Sequence, residues 1–224
     1  MNDFLQMLSG FGVTLELFFL TLLFAIPLGL AIALGAMSKI PPLRWFLRGV
    51  IWVVRGTPLL LQCILVSFIP SVVFHLKNKD VASFFNLKIS ELQFVFVLIA
   101  FVLNYACYFA VIYEGGIKSI PQGQYEAGAV LGLTKRQTFF HVVFPQVIRR
   151  IIQPMSNEII TLVKDTALAK ALAVVEILSV ANDMVNISGK IWPLLGAGAF
   201  YLLFSGLLTV FFRFVEKKTS YYKV

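Results

Sequence analysis

The sequence predicts an all-α, polytopic membrane protein with about five transmembrane helices. Three observations carry that expectation. Hydrophobic residues make up 59% of the chain, and the mean hydropathy is +0.87. Charged residues reach only 13%, against about 25% in a soluble domain. Polar residues gather between long apolar stretches instead of alternating with them. At roughly 20 residues per spanning helix, residues 1–224 are expected to form a single transmembrane domain, with no length left for a soluble nucleotide-binding or receptor domain.

The apolar stretches follow in order. The first runs from about Phe11 to Met37, and the second from about Val50 to Phe74. The third covers about Leu92 to Tyr113. The fourth, about Val147 to Val180, is too long for one straight helix, and Pro154 and Lys164-Asp165 are expected to interrupt it. The fifth runs from about Trp192 to Val215. Ala25, Gly29 and Ala33 in the first, and Gly196, Gly198 and Gly206 in the fifth, form small-residue faces of the kind that let membrane helices pack closely. The polar, Phe-containing stretch 71–90 reads either as a cap on the helices or as a contact for an outside partner.

Orientation follows from the basic residues. Lys39, Arg44, Arg48, Lys118, Lys135, Arg136, Arg149, Arg150, Arg213, Lys217, Lys218 and Lys223 fall on one side, and Lys77, Lys79, Lys88 and Lys190 on the other. Twelve against four places the C-terminus in the cytoplasm and the N-terminus outside. The net charge of +8 is explained the same way, so no nucleic-acid partner is expected. Cys63 and Cys107 lie in apolar runs and read as small core residues, not as a disulfide framework or a metal site. The start of the chain, with Asp3 and no basic region, reads as a helix and not as a signal peptide.

Ionisable groups inside membrane segments are costly, and they usually face the protein interior or a water-filled path. Arg55 lies in Arg55-Gly56-Thr57-Pro58-Leu59-Leu60-Leu61-Gln62, where Gly and Pro weaken helical hydrogen bonding. Lys164-Asp165 interrupts the fourth segment and reads equally as a functional pair or as an ion pair that fixes packing. Glu16 sits near the outer end of the first segment and reads as interfacial. Asn104 and Glu158 are further polar groups within apolar stretches, and with Arg55, Lys164 and Asp165 they are the candidates for lining such a path.

Residues 126–145 read Glu-Ala-Gly-Ala-Val-Leu-Gly-Leu-Thr-Lys-Arg-Gln-Thr-Phe-Phe-His-Val-Val-Phe-Pro, a polar stretch within a loop of about 118–146. Small Ala127, Gly128, Ala129 and Gly132 are expected to let another surface approach a short helix closely. Glu126 is expected at the N-terminal end of that helix, where the dipole favours negative charge. Pro145 is expected to end the excursion. The stretch resembles the EAA motif of permease subunits of bacterial ATP-binding-cassette (ABC) importers, with Gly128 for the second Ala and with Val142 and Phe144 for Ile and Leu. Arg55-Gly56-Thr57-Pro58-Leu59, the run from Ser119 to Ala127, and Lys164-Asp165-Thr166 are similar to those of the polar amino-acid permeases. That branch serves histidine, arginine, glutamine, glutamate or cystine uptake, and the likeness spans about Val13 to Glu216. The chain departs from the family pattern at Val111 and Glu114, where Glu and Arg are usual, at Ala167 for Ser, and at the extra charge of Lys170.

The resemblance implies a type I ABC importer permease fold and an assembly of several subunits. Its partners would be a cytoplasmic ABC ATPase dimer, a second permease subunit, the same or different, and an extracytoplasmic solute-binding protein. The cargo would be a small polar amino acid. ATP and Mg²⁺ would be bound by the ATPase, leaving this chain with no cofactor, metal or catalytic residue. Ala127 to Phe140 would form the coupling helix, with Glu126 and Gly132 setting its geometry. An ion-coupled secondary carrier would explain the intramembrane charges but leave the loop without use. A structural half of a heterodimer that binds no substrate fits the departures at Val111 and Glu114. A membrane enzyme would need clustered His, Asp or Cys at one depth; His75 and His141 are the only histidines and fall on opposite sides.

Overall fold

A computed structural model describes residues 3–219, so Lys223 lies outside the described residues. The first apolar stretch becomes one long helix, α1 (Asp3–Ala36). The second is broken into α2 (Pro41–Gly56) and α3 (Leu59–Val73), which meet at 113°. A short helix, α4 (Asn78–Phe84), leads into α5 (Ile89–Lys118). The loop region holds α6 (Gln122–Val130) and α7 (Lys135–Gln137), followed by a π-helical stretch, Thr138–Val143. Helix α8 (Phe144–Asp165) then runs into a 3₁₀ stretch, Thr166–Leu172. The chain closes with α9 (Ile177–Ser188) and α10 (Trp192–Thr219).

Three of the described helices, α1, α5 and α10, are long and apolar enough to cross a membrane, and the bent α2–α3 pair makes a fourth if it counts as one span. Helix α8 has the length but carries Arg149, Arg150, Glu158, Lys164 and Asp165. Pro154 does not interrupt it, contrary to expectation: the helix runs on with the proline inside it, as helices packed among others can. The α-helix does end at Asp165, as expected of Lys164-Asp165, and the chain turns after the 3₁₀ stretch that follows. There Ala173 takes a left-handed conformation (φ 57°), and α9 restarts under a cap from Glu176. That carboxylate is fully buried and accepts from the Leu178 and Ser179 N–H groups at 2.7 and 2.6 Å and from Tyr201 Oη at 3.0 Å. Capping by a side-chain oxygen satisfies N–H groups that a helix start leaves without partners.

The small-residue stripe of α1 packs on α5. Thr21, Ala25, Gly29 and Ala33 are all buried. A Cβ on Gly29 would lie 2.9 Å from both the Ala106 carbonyl oxygen and Phe109 Cβ, so backbone would have to move. Close helix packing, as expected of the stripe, is what α1 and α5 display. In α10 only Gly196 is close-packed, against Met7; Gly198 and Gly206 face open space. Gly29→Val is expected to destabilise the bundle by about 1–3 kcal/mol through overpacking, seen as a lower Tm of the purified protein. An unchanged Tm would mean that α1 and α5 have room to separate.

Candidate functional site: a polar cluster and the loop that reaches it

The break in the second segment exposes the end of α2 to the middle of α5 and the end of α8. Arg55, on the last turn of α2, lies with Cζ 4.9 Å from the centroid of the Tyr108 ring, within reach of a cation–π attraction. Tyr105 Oη donates to Asp165 Oδ2 at 2.7 Å. Glu158 is within electrostatic range of both Arg55 and Asp165, and Lys164 stands close enough to Asp165 to act on it. Asn104 Nδ2 donates to Gln62 Oε1 at 3.0 Å. All five residues predicted for the cargo path therefore meet around one region.

Helical periodicity explains the meeting. Asn104 and Tyr108 are one turn apart on α5, and Glu158 and Asp165 are two turns apart on α8, so each pair shares a face. Arg55 and Lys164 remain exposed although they belong to membrane-depth segments, which points them to a water-filled path or a protein neighbour. An open cleft of about 480 Å³ begins at Arg55 and Gly56 and extends along Trp52, Ile51 and Arg48 to Glu114. Sequence reasoning missed Gln62, Tyr105 and Tyr108. Gln62 had a signal, being an amide in an apolar run seven residues after Arg55. The tyrosines had none, since aromatics in such a run read as core.

The departure at Glu114 finds a structural partner. Its Oε1 lies 3.5 Å from Arg48 Nη2 and also binds Lys118 Nζ, tying the middle of α2 to the end of α5.

Several expectations for the loop are corrected. Ala127 to Phe140 is not one helix. Helix α6 ends at Val130 in a tight turn in which Gly132 N–H donates to Ala129 O and Leu133 N–H to Gly128 O, both at 3.0 Å. That paired pattern needs a left-handed residue after the helix, and Gly132 supplies it with φ 72°. Helix α7 then restarts at Thr134, whose Oγ1 accepts from Gln137 N–H at 3.3 Å while Gln137 Oε1 accepts from Thr134 N–H at 2.9 Å. Glu126 sits mid-helix instead of at the N-terminal end, because α6 begins after Pro121, whose fixed φ suits a helix entry. Gly128 is not open to a partner: a Cβ there would meet Thr138 Oγ1 and Cγ2 at 2.5 and 2.6 Å. Ala127 and Ala129 remain exposed. Pro145 falls in the first turn of α8, so it starts the next helix as much as it ends the loop.

The loop tip carries apolar side chains that the sequence reading did not single out. Val130 is 88% and Leu131 76% exposed, beside the turn at Gly132. The loop base is anchored: Ile120 is buried with Val143, Val147 and Ile151, and Arg150 Nη1 donates to Ser119 O. Helix α8 then runs unbroken from this base to Asp165, about 33 Å at 1.5 Å per residue.

A helical bundle with charges gathered at membrane depth, joined by one rigid helix to an exposed loop, defines an integral membrane transport subunit. The chain belongs to the family of binding-protein-dependent transport system inner membrane components, whose model matches residues 25–221. It is 34% identical to the L-cystine transport system permease protein TcyB of Bacillus subtilis, covering 99% of this chain and 90% of that one. It is 32% identical to the arginine ABC transporter permease protein ArtM of Escherichia coli, covering 80% and 79%. A crystal structure of an amino acid ABC transporter with histidines superposes with a TM-score of 0.78 at 27% identity, over 95% of this chain and 94% of that one.

Proposed function

We propose that this chain is the transmembrane subunit of an ABC importer that carries a polar amino acid across the bacterial cytoplasmic membrane, driven by ATP hydrolysis in a partner. One observation carries the reading beyond family membership: α8 joins the exposed loop directly to Asp165 in the polar cluster. A push on the loop is thereby delivered to the cargo path by a single rigid element.

Val130, Leu131 and the exposed faces of Ala127, Ala129 and Glu126 dock on the cytoplasmic ABC ATPase dimer, which binds ATP and Mg²⁺. A second permease subunit completes the cavity that Arg55 and Lys164 face. A solute-binding protein delivers the amino acid from outside. Closure of the ATPase dimer opens the cavity outward, cargo enters, and hydrolysis returns it inward. Arg55 takes the cargo's carboxylate, and Glu158 with Asp165 takes its ammonium group. The basic residues of the loop and tail hold the C-terminus in the cytoplasm and leave the N-terminus outside.

Gentle affinity purification from native membranes, with mass spectrometry of the co-purifying subunits and an ATPase assay, tests the assembly. An ABC ATPase is expected, together with a second permease species if the pair is heterodimeric. Amino-acid uptake by this chain alone in proteoliposomes without ATP would instead establish a secondary carrier.

A further inference from the structure

At the junction of α2 and α3 the backbone gives up its own hydrogen bonding. Thr57 (φ −118°, ψ 146°) and Pro58 (φ −62°, ψ 136°) are both extended, and Pro58 has no N–H to donate. The last carbonyls of α2 therefore lack the donors that a continuing helix would supply. Side chains replace them. Thr57 Oγ1 donates to Val53 O at 3.0 Å. Gln62 Nε2 donates to Val54 O at 2.7 Å and to Thr57 O at 3.1 Å, and lies 2.9 Å from Thr57 Oγ1. Gln62 belongs to α3, yet both its amide hydrogens are committed to the end of α2. Its oxygen turns to a third helix, accepting from Asn104 Nδ2 of α5 at 3.0 Å.

We propose that Gln62 is the pin of the α2–α3 hinge and, through Asn104, sets where Arg55 stands in the cargo path. This rests on the assignment of Arg55 to that path. The chemistry is specific to an amide. The carbonyls of α2 need donors, Asn104 needs an acceptor, and an amide offers both from one carbon. Turned over, its oxygen would face two carbonyl oxygens and its nitrogen would face the Asn104 nitrogen, so the network selects one orientation. Asn104 is only 5% exposed and is spent on this bond. It precedes Tyr105, which holds Asp165, and lies one turn before Tyr108, over which Arg55 rests. Arg55 is two residues from the break, so a change of hinge angle moves it off that ring. Gln62 is a positioning residue.

The test uses the importer assembled with its ATPase. Spin labels at Gly49→Cys on α2 and Leu65→Cys on α3, both exposed positions, report the hinge as a distance distribution in nanodiscs. Uptake of radiolabelled L-cystine and L-arginine into proteoliposomes reports the path. Gln62→Glu keeps the acceptor for Asn104 but sets a carboxylate oxygen against the Val54 and Thr57 carbonyls. It is expected to broaden the distribution and to raise KM about tenfold with a smaller change in kcat. Gln62→Leu with Asn104→Leu is expected to be no worse than Gln62→Leu alone: the Val54 and Thr57 carbonyls lose their donor in both, but the double variant no longer leaves a buried Asn104 amide without its acceptor. An unchanged distribution in Gln62→Glu, or additive losses in the double variant, overturns the pin. If Gln62→Leu fails to assemble, Gln62→Glu and Asn104→Leu carry the same comparison. Arg55→Ala separates the two claims. A narrow distribution with lost uptake upholds both, whereas a narrow distribution with normal uptake removes Arg55 from the path and overturns the positioning role with it.

Discussion

Arg55→Ala is expected to weaken the apparent affinity for the amino acid by about tenfold or more, because a hydrogen bond to a charged group such as the cargo's carboxylate contributes about 1.5–3 kcal/mol. Its guanidinium lies over Tyr108 and within electrostatic range of Glu158, so removal also takes a positive neighbour from that carboxylate. Assembly with the ATPase and basal ATP hydrolysis should persist, since no loop contact is touched. Arg55→Lys is expected to fall between wild type and Ala. It keeps the charge but loses the planar group that stacks on the ring. The decisive measurement is concentration-dependent uptake in proteoliposomes beside basal ATPase activity. An Arg55→Ala importer with an unaltered KM would move the cargo path elsewhere.

Gly132→Arg is expected to separate ATP hydrolysis from transport while leaving the protein inserted. Two effects add at this position. A non-glycine residue at φ 72° is strained by about 1–3 kcal/mol, which loosens the turn that sets α6 against α7. No heavy atom lies within 4 Å of a Cβ built there, so the new side chain projects outward beside Val130 and Leu131, where the ATPase is proposed to dock. Uptake should fall by about tenfold or more, equivalent to roughly 1.4 kcal/mol or more of lost docking energy. Gly132→Asn tells the two effects apart, since Asn accepts the left-handed conformation and projects far less. Near-normal uptake is expected for Asn. Normal uptake for Arg would end the coupling role of this turn.

Particular residues show how far the sequence could be read. The apolar runs behind α1, α5 and α10 were legible, because hydropathy over a spanning length is a local property. Gly132 was legible as a position to watch, but only for the space that a side chain there would take from a partner. It serves the backbone of the turn first, and only a φ value reveals that. Gly128 was read as a surface for a partner. Its space is taken by Thr138, ten residues on, through a π-helical stretch that no periodicity announced. Glu126 was displaced from a helix end to a helix middle because element boundaries are the least secure part of such a reading.

Composition, charge asymmetry and motif spacing by themselves determined the membrane class, the order of the apolar stretches, the exposed loop and the choice of Arg55, Asn104, Glu158, Lys164 and Asp165. Each of these is written in residue types and in distances along the chain. The tertiary structure alone decided the 113° turn between α2 and α3, the roles of Gln62, Tyr105 and Tyr108, and the convergence of four helices on one polar region. The bonds that hold it join residues 42 and 60 positions apart. Such contacts have no period in the sequence, because they exist only once apolar burial has brought distant helices face to face.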